Sequence, residues 1–394
     1  MRILIYDWCL HVIGGGQKVN CRIAEHLSKK YKTDILTMFP TKKQDLERYY
    51  SVDLSRVGKI MHLYEKSNIN SYLLFLISFR KVSKIAREYD ILINADAHET
   101  VKPSAKYNIM YCHFFRPQVY KYRYPKGFFD RFALLGVYFF RKMLRNYVRE
   151  YDSVYCNSKY TKEWLKKLWG IDAKIIYPFV QIPEKVPPKK ENIILVTGRL
   201  SPDKNYEFVI DSFKQIYDSG IKNYTCIIAA ATGKDGDEYY GNICNRIKDY
   251  PIEIRTNLTD KQLKVLYSKA KIFLMAKGLC INEEKFPLLM ENFGMSVLEA
   301  AAHGCVPVVL NKGGYKEIVK ENENGLLFNT EEEAIKQLKR LLNNEGLRSK
   351  LSKSAMQNAK KFSLERMQKE IDKAIEKAIK SGKINRHNPS GSSK

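Results

Sequence analysis

The chain has 394 residues, 44% apolar and 12% aromatic, which is too long for one ordinary core and too apolar for a disordered segment. Its 68 Lys and Arg against 43 Asp and Glu leave a net charge of +25, which favours polyanionic partners (nucleic acid, an anionic membrane surface, phosphorylated substrates) or else marks solvated, lysine-rich helix faces. Eight cysteines without a C-x-x-C pair argue against a disulfide frame or zinc site, and no apolar run approaches the ~20 residues of a membrane-spanning helix.

The opening Met1 to Asp7 reads as a strand over Arg2–Tyr6, not as a signal peptide, so a cytoplasmic setting is expected. A glycine cluster, Gly14-Gly15-Gly16-Gln17, follows, and Gln17 to Lys29 has helical spacing. Such a loop lets a phosphate or sugar approach the backbone, and serves equally well as a flexible turn. It does not spell G-x-G-x-x-G, and no GxxxxGK[ST] is present, which counts against a dehydrogenase or P-loop enzyme. Further short apolar runs at Asp34–Met38, Ile91–Asn94, Asn108–Cys112 and Ser153–Cys156 alternate with helical stretches, the pattern of a parallel sheet covered by helices. His113 sits just past one of these strands, in Tyr111-Cys112-His113-Phe114-Phe115-Arg116-Pro117, where its side chain would emerge into a cleft; His98 is a further candidate. Residues 125–149 mix phenylalanines with Lys and Arg, and read either as a membrane-interface stretch or as a core helix with a basic outer face.

Prolines 183, 187 and 188 mark 181–190 as a linker. A second α/β unit opens with the strand Asn192–Thr197, continues through Thr225–Ala229, Ile252–Arg255, Ile272–Met275 and Val306–Leu310, and ends in a charged helical stretch from Glu331 to Lys380. The first strand of this unit runs into Val196-Thr-Gly198-Arg199-Leu-Ser-Pro-Asp-Lys204-Asn. The cations there can reach one cleft and neutralise a diphosphate, Arg199 as a planar fork and Lys204 as a point charge. The most informative segment is Glu291-Asn-Phe-Gly-Met-Ser-Val-Leu-Glu299-Ala-Ala-Ala-His-Gly304. A helix is expected to begin near Met295 or Ser296, with Glu291 ahead of it, Glu299 about one turn inside and Gly304 closing it. Its N-terminal N–H groups suit a diphosphate and its carboxylates suit sugar hydroxyls.

This last segment resembles the E-x7-E signature of glycosyltransferase family 4, retaining enzymes of the GT-B fold, and the Gly198-Arg199 to Lys204-Asn205 stretch resembles the family's G-R-x-x-x-x-K-N. The resemblance covers nearly the whole chain. It implies an α/β fold of two Rossmann-like doubly wound domains facing a cleft. The acceptor domain would span 1–180 and the donor domain 191–365, with a helix over 366–384 crossing back and a disordered tail over 385–394. It implies that Glu299 binds the ribose hydroxyls and Glu291 the donor sugar, and that Phe293, Gly294 and Met295 line the sugar and diphosphate. Gly15, Gly16 and Gly198 would complete the donor site, and His113, Glu291, Arg199 and Lys204 would carry the reaction. No metal or other cofactor is expected, since no D-x-D segment is placed for one.

Tyr111 to Phe114, with Asn157-Ser-Lys-Tyr-Thr161 and Tyr177-Pro178, resembles the mannosyltransferases that extend the dolichol-linked glycan and related prokaryotic enzymes. That leans the donor towards GDP-mannose and the acceptor towards a glycan or lipid-linked glycan, with peripheral membrane contact through 125–149. Two departures stand out: Met275 where many relatives carry His, and Phe115 where the pattern has Pro. UDP-glucose or UDP-N-acetylglucosamine as donor stays open. A basic nucleic-acid-binding protein is the rival that charge alone suggests, but no zinc finger, RNP segment or basic zipper accompanies the charge, so no nucleic-acid partner is expected. An inactive scaffold of the same fold is the other rival, against which Glu291, Glu299, Arg199 and Lys204 all stand.

Overall fold

Most strands of the chain are runs of apolar residues buried on both faces, the property of parallel strands covered by helices. The computed structural model describes residues 1–12, 14–65, 72–95, 99–113, 146–187, 189–232 and 237–384. Seven strands build the first sheet: β1 (Arg2–Tyr6), β2 (Lys32–Thr37), β3 (Ile60–His62), β4 (Ile91–Asn94), β5 (Tyr107–Cys112), β6 (Ser153–Cys156) and β7 (Lys174–Ile175). Six build the second: β8 (Glu191–Arg199), β9 (Thr225–Ala231), β10 (Ile252–Thr256), β11 (Ala270–Met275), β12 (Val306–Leu310) and β13 (Leu326–Phe328). The spatial orders are β3-β2-β1-β4-β5-β6-β7 and β10-β9-β8-β11-β12-β13, and every pairing is parallel.

The order reverses beside β1 in one sheet and beside β8 in the other. In such doubly wound sheets the crevice lies beyond the carboxyl ends of the strands at that reversal. The glycine loop follows β1 and Arg199 ends β8, so both reversals feed one cleft. The strands that sequence periodicity did not anticipate, β3, β7 and β13, are edge strands of three, two and three residues, too short to display a period.

The charged stretch after Glu331 is three helices, Glu331–Leu342, Glu345–Ala359 and Leu364–Lys380. Each begins where a side chain (Thr330, Asn344, Ser363) accepts a backbone N–H in the first turn, a local bond that starts a new helix where charge patterning shows none. The last helix places Met367, Ile371, Ala374, Ile375 and Ala378 on one stripe, and this stripe is buried in the core of the first sheet. Asp372, half-buried beside that stripe, meets His26 of the first domain at 2.9 Å. The chain therefore passes between the domains twice at one place, where the Val180 N–H donates to the Phe362 carbonyl at 2.7 Å.

A second tie lies across the cleft. The Glu317 carboxylate accepts the backbone N–H groups of Lys159 and Tyr160, which open the helix Lys159–Trp169, at 2.9 and 3.0 Å, and the Tyr160 hydroxyl donates to the Pro287 carbonyl at 2.9 Å. Burial raises the Glu317 carboxyl above its ordinary value despite these donors.

Candidate functional site

The first wall of the cleft comes from the loop after β1. Gly14 precedes the helix Gly15–Ser28, and its N–H donates to the Tyr50 hydroxyl at 3.1 Å. A Cβ on Gly15 would stand 3.1 Å from Met295 Cγ of the other domain, closer than ordinary contact, whereas one on Gly16 would stand 3.5 Å from the His113 ring. Neither glycine has a left-handed backbone. Gly15 is needed because the two domains approach at its Cα.

His113 leaves β5 towards the cleft. Its Nε2 lies 2.7 Å from Asn20 Oδ1, and the Asn20 amide nitrogen lies 2.7 Å from Asp7 Oδ2. A carboxylate can only accept, so Asn20 must donate to Asp7 and its oxygen must accept from the imidazole. This chain fixes the Nε2–H tautomer and leaves Nδ1 as an acceptor. Burial pushes the imidazole down to about 3, so it is neutral at physiological pH. Asn157, which also lines the cleft, donates from Nδ2 to the His113 carbonyl at 3.0 Å.

The second wall comes from β8. After Gly198 and Arg199 the chain makes a short turn at Pro202–Lys204, and left-handed Asn205 (φ 54°) ties it to the end of β11 by donating to the Ala276 carbonyl at 2.8 Å. A Cβ on Gly198 would meet Lys204 Cε at 3.2 Å, so the glycine makes room for the lysine stem. Lys204 Nζ lies 3.3 Å from Glu291 Oε2, and Lys277 Nζ lies 3.9 Å from the same oxygen and 4.0 Å from Asp203. The Arg199 guanidinium is exposed and forms no hydrogen bond or ion pair among the described residues. Burial disfavours charge on Glu291, but Lys204 and then Lys277 outweigh it and hold the carboxyl below its ordinary value. Lys277 is itself lowered, chiefly by burial and against the pull of Glu291.

Between Glu291 and Glu299, Gly294 has φ +107° and a Cβ there would lie 3.2 Å from the Tyr315 ring, so only glycine fits ahead of the helix Met295–Ala302. Met295 opens that helix and packs on the cores of both domains. Phe293 is buried against Tyr177 and Phe362, so its ring is spent on packing. Gly314 supports the segment from behind: its N–H donates to the Glu291 carbonyl at 2.7 Å, and a Cβ there would fall 2.3 Å from the Asn292 carbonyl oxygen.

Glu299 is already engaged. One carboxylate oxygen lies 2.6 Å from Lys18 Nζ, and the other accepts from the Tyr267 hydroxyl at 3.3 Å. Lys18 also reaches Asp260 at 2.5 Å. Burial works against the charge on Lys18, but Glu299 and Asp260 together hold it above its ordinary value, and Lys18 in turn lowers Asp260 against burial.

Gly15, Gly16, His113, Gly198, Arg199, Lys204, Glu291, Phe293, Gly294, Met295 and Glu299 thus all line one cavity of about 910 Å³. That size suits a nucleotide-sized ligand. His98, Phe115 and residues 125–145 of the basic aromatic stretch lie outside the described residues, as does the tail 385–394. Sequence reasoning missed Lys18, Asn20, Asp260 and Lys277, all of which belong to the cavity or its hydrogen-bond chain. Lys18 follows the glycine loop directly and Lys277 follows β11, so position at a strand end or helix start was the one available signal. Among the described residues no group of three or more His, Cys, Asp or Glu side chains could hold a metal ion, and no helix is long and apolar enough to cross a membrane.

Residues 13–182 match the family described as Glycosyltransferase Family 4, and residues 180–361 the family described as Glycosyl transferases group 1. A Campylobacter jejuni protein, GalNAc-alpha-(1->4)-GalNAc-alpha-(1->3)-diNAcBac-PP-undecaprenol alpha-1,4-N-acetyl-D-galactosaminyltransferase, is 27% identical over 48% of this chain and 48% of its own. The Homo sapiens GDP-Man:Man(3)GlcNAc(2)-PP-Dol alpha-1,2-mannosyltransferase is 26% identical over 58% of this chain and 49% of its own. The chain therefore spans about half the length of these curated relatives. An Anabaena protein crystallised with UDP-glucose superposes with a TM-score of 0.71 at 16% identity, covering 96% of this chain and all of that one. That likeness, with the two parallel sheets, establishes the GT-B fold.

Proposed function

The chain belongs to glycosyltransferase family 4, and on that footing we propose that it moves a hexosyl group from a nucleotide sugar onto a glycan acceptor with retention at the anomeric carbon. The observation that carries this reading is the gathering of Arg199, Lys204 and Lys277 around Glu291, beside the N-terminus of the Met295–Ala302 helix. Three cations beside two carboxylates, Glu291 and Asp203, leave an excess of positive charge in the cleft, and a diphosphate is the ligand that neutralises it. Glu299 takes the ribose, Glu291 the hydroxyls of the transferred sugar, and neutral His113 accepts a sugar hydroxyl at Nδ1.

In the reaction the bond from the anomeric carbon to the diphosphate oxygen breaks while the acceptor oxygen bonds to that carbon on the same face. The acceptor proton passes to the departing phosphate oxygen. Lys204, Arg199 and the helix N–H groups meet the developing charge without rearranging, which is the source of most such rate enhancement. The protein's own cations take the part that a metal plays elsewhere, so transfer needs no added metal.

The donor we favour is GDP-mannose, supported by the dolichol-pathway mannosyltransferase among the relatives and by the Tyr111 to His113 segment. The acceptor is a lipid-pyrophosphate-linked glycan at a cytoplasmic membrane face. Both curated relatives named above carry such a lipid in their names, PP-undecaprenol and PP-Dol, and the basic aromatic stretch 125–149 suits the headgroup layer. A UDP-sugar donor is the second reading, favoured by the UDP-glucose held in the Anabaena protein.

One experiment separates these readings: thermal unfolding with GDP-mannose, UDP-glucose, UDP-N-acetylglucosamine, GDP and UDP, without added metal. Ligands that bind only the folded state raise its melting temperature. The guanosine series is expected to stabilise the wild type and to lose its effect in Glu299→Ala. Stabilisation by uridine alone moves the donor to a UDP-sugar, and no stabilisation at all removes the donor site.

A further inference from the structure

We propose that Lys18, on the first domain, is a positioning residue of the nucleoside pocket on the second: it holds the Glu299 carboxylate in place for the ribose and makes that grip depend on the two domains being closed on each other. The inference rests on the donor reading above, which places the ribose at Glu299.

The Lys18 side chain is 11% exposed and spends its ammonium on two carboxylates of the opposite domain, Glu299 at 2.6 Å and Asp260 at 2.5 Å. Each carboxylate is held from its far side as well: Lys264 lies 2.6 Å from the second oxygen of Asp260, and the Tyr267 hydroxyl donates to the second oxygen of Glu299 while lying 3.1 Å from the Thr197 hydroxyl at the end of β8. The result is a continuous chain, Lys264–Asp260–Lys18–Glu299–Tyr267–Thr197, in which every link but Lys18 belongs to the second domain. A carboxylate can accept about four hydrogen bonds. Lys18 and Tyr267 use one lone pair on each oxygen of Glu299, which fixes the plane of the group and leaves one acceptor site per oxygen for a vicinal pair of hydroxyls.

A carboxylate pinned this way costs a ligand little to engage, because its side-chain freedom is already lost. Lys18 sits one turn into the helix that opens at Gly15, and a side chain on Gly15 would crowd Met295. The same close approach that requires Gly15 therefore delivers Lys18 to Glu299, and a domain rotation that opened the cleft would withdraw it.

The test measures binding of GDP and UDP, and of their 2′,3′-dideoxy counterparts, to the full chain by calorimetry. In the wild type the bound nucleotide is expected to outbind its dideoxy form by about tenfold or more, the strength of hydrogen bonds to a charged acceptor. In Lys18→Met that ratio is expected to fall close to one, as it does in Glu299→Gln, with Lys18→Arg restoring most of it. Asp260→Asn, which leaves Lys18 in place but removes its anchor, lowers the ratio less and serves should Lys18→Met fail to fold. A folded Lys18→Met that keeps the wild-type ratio while losing affinity for both forms equally would assign Lys18 a merely electrostatic or structural part and overturn the proposal. A wild type that binds nucleotides with no preference for ribose overturns it too, while leaving the donor site standing. A wild type that binds no nucleotide removes the donor reading and this inference together.

Discussion

The two carboxylates of the 291–299 segment are eight residues apart and meet opposite surroundings. Glu299 is locked at 2.6 Å to a lysine from the other domain, with a tyrosine on its second oxygen. Glu291 stands among cations of its own domain at 3.3 and 3.9 Å, with exposed Arg199 nearby. The first arrangement is rigid, with one acceptor site left on each oxygen, and is suited to a neutral diol that asks only for fixed acceptors. The second carries surplus positive charge at loose distances, suited to an anion that arrives, reacts and leaves. Under the proposed function, the difference teaches that one end of the segment serves recognition and the other serves charge that changes during a reaction.

The sharpest way to break the comparison is to remove charge from the Glu291 end. Lys204→Ala is expected to lower kcat/KM by about 10²–10³, the usual cost of one preorganised donor to a developing anion, with nucleoside binding reduced far less. Steady-state kinetics with whichever donor the thermal-unfolding panel selects would check it, and equal losses in kcat/KM and in nucleoside affinity would erase the distinction. Gly294→Ala disturbs both ends at once, because a Cβ at φ +107° also meets Tyr315. About 1–3 kcal/mol of stability should be lost in thermal unfolding, together with nucleotide binding.

Lys277→Met removes the lysine farther from Glu291 and is expected to cost about tenfold in kcat/KM. Its ammonium sits below its ordinary value in the folded protein, so the wild-type rate should decline with an alkaline limb below 10.5 as Lys277 loses its proton. The variant should lack that limb. The smallest effect concerns His113. An imidazole pushed down to about 3 is neutral in the folded state, whereas the unfolded one takes a proton near 6.5. The folded state is thus favoured fully above 6.5 and loses that advantage as pH falls towards 3, by at most about 1.4 kcal/mol per unit. The pH–rate profile should accordingly have no limb near 6.5, and His113→Gln should leave its shape unchanged.

Much of this was legible in the chain. The principal strands are buried on both faces, so they appear as apolar runs that need no partner to be recognised. Gly294 and Gly304 read as the two ends of a short helix because a left-handed residue there admits little else. Phe293 also lay in the recognised segment, yet its ring belongs to the core between Tyr177 and Phe362. The residue type alone could not say which way the ring turned. The stretch after Glu331 read as helical with a final helix over 366–384, but the break between the helices Glu331–Leu342 and Glu345–Ala359 was not visible, because it rests on a single capping side chain, Asn344.

What the sequence by itself determined is the set of elements and the eight-residue spacing that puts Glu291 before a helix and Glu299 within it. Both follow from hydrogen bonds and apolar periodicity confined to a few neighbouring residues. What only the tertiary structure decided is the company each carboxylate keeps. Lys18 lies 242 positions from Asp260 and 281 from Glu299. No local interaction relates them, and the pairing exists because two separately folded sheets bring their carboxyl ends to one cleft, where a buried charge must find an opposite charge or lose its own.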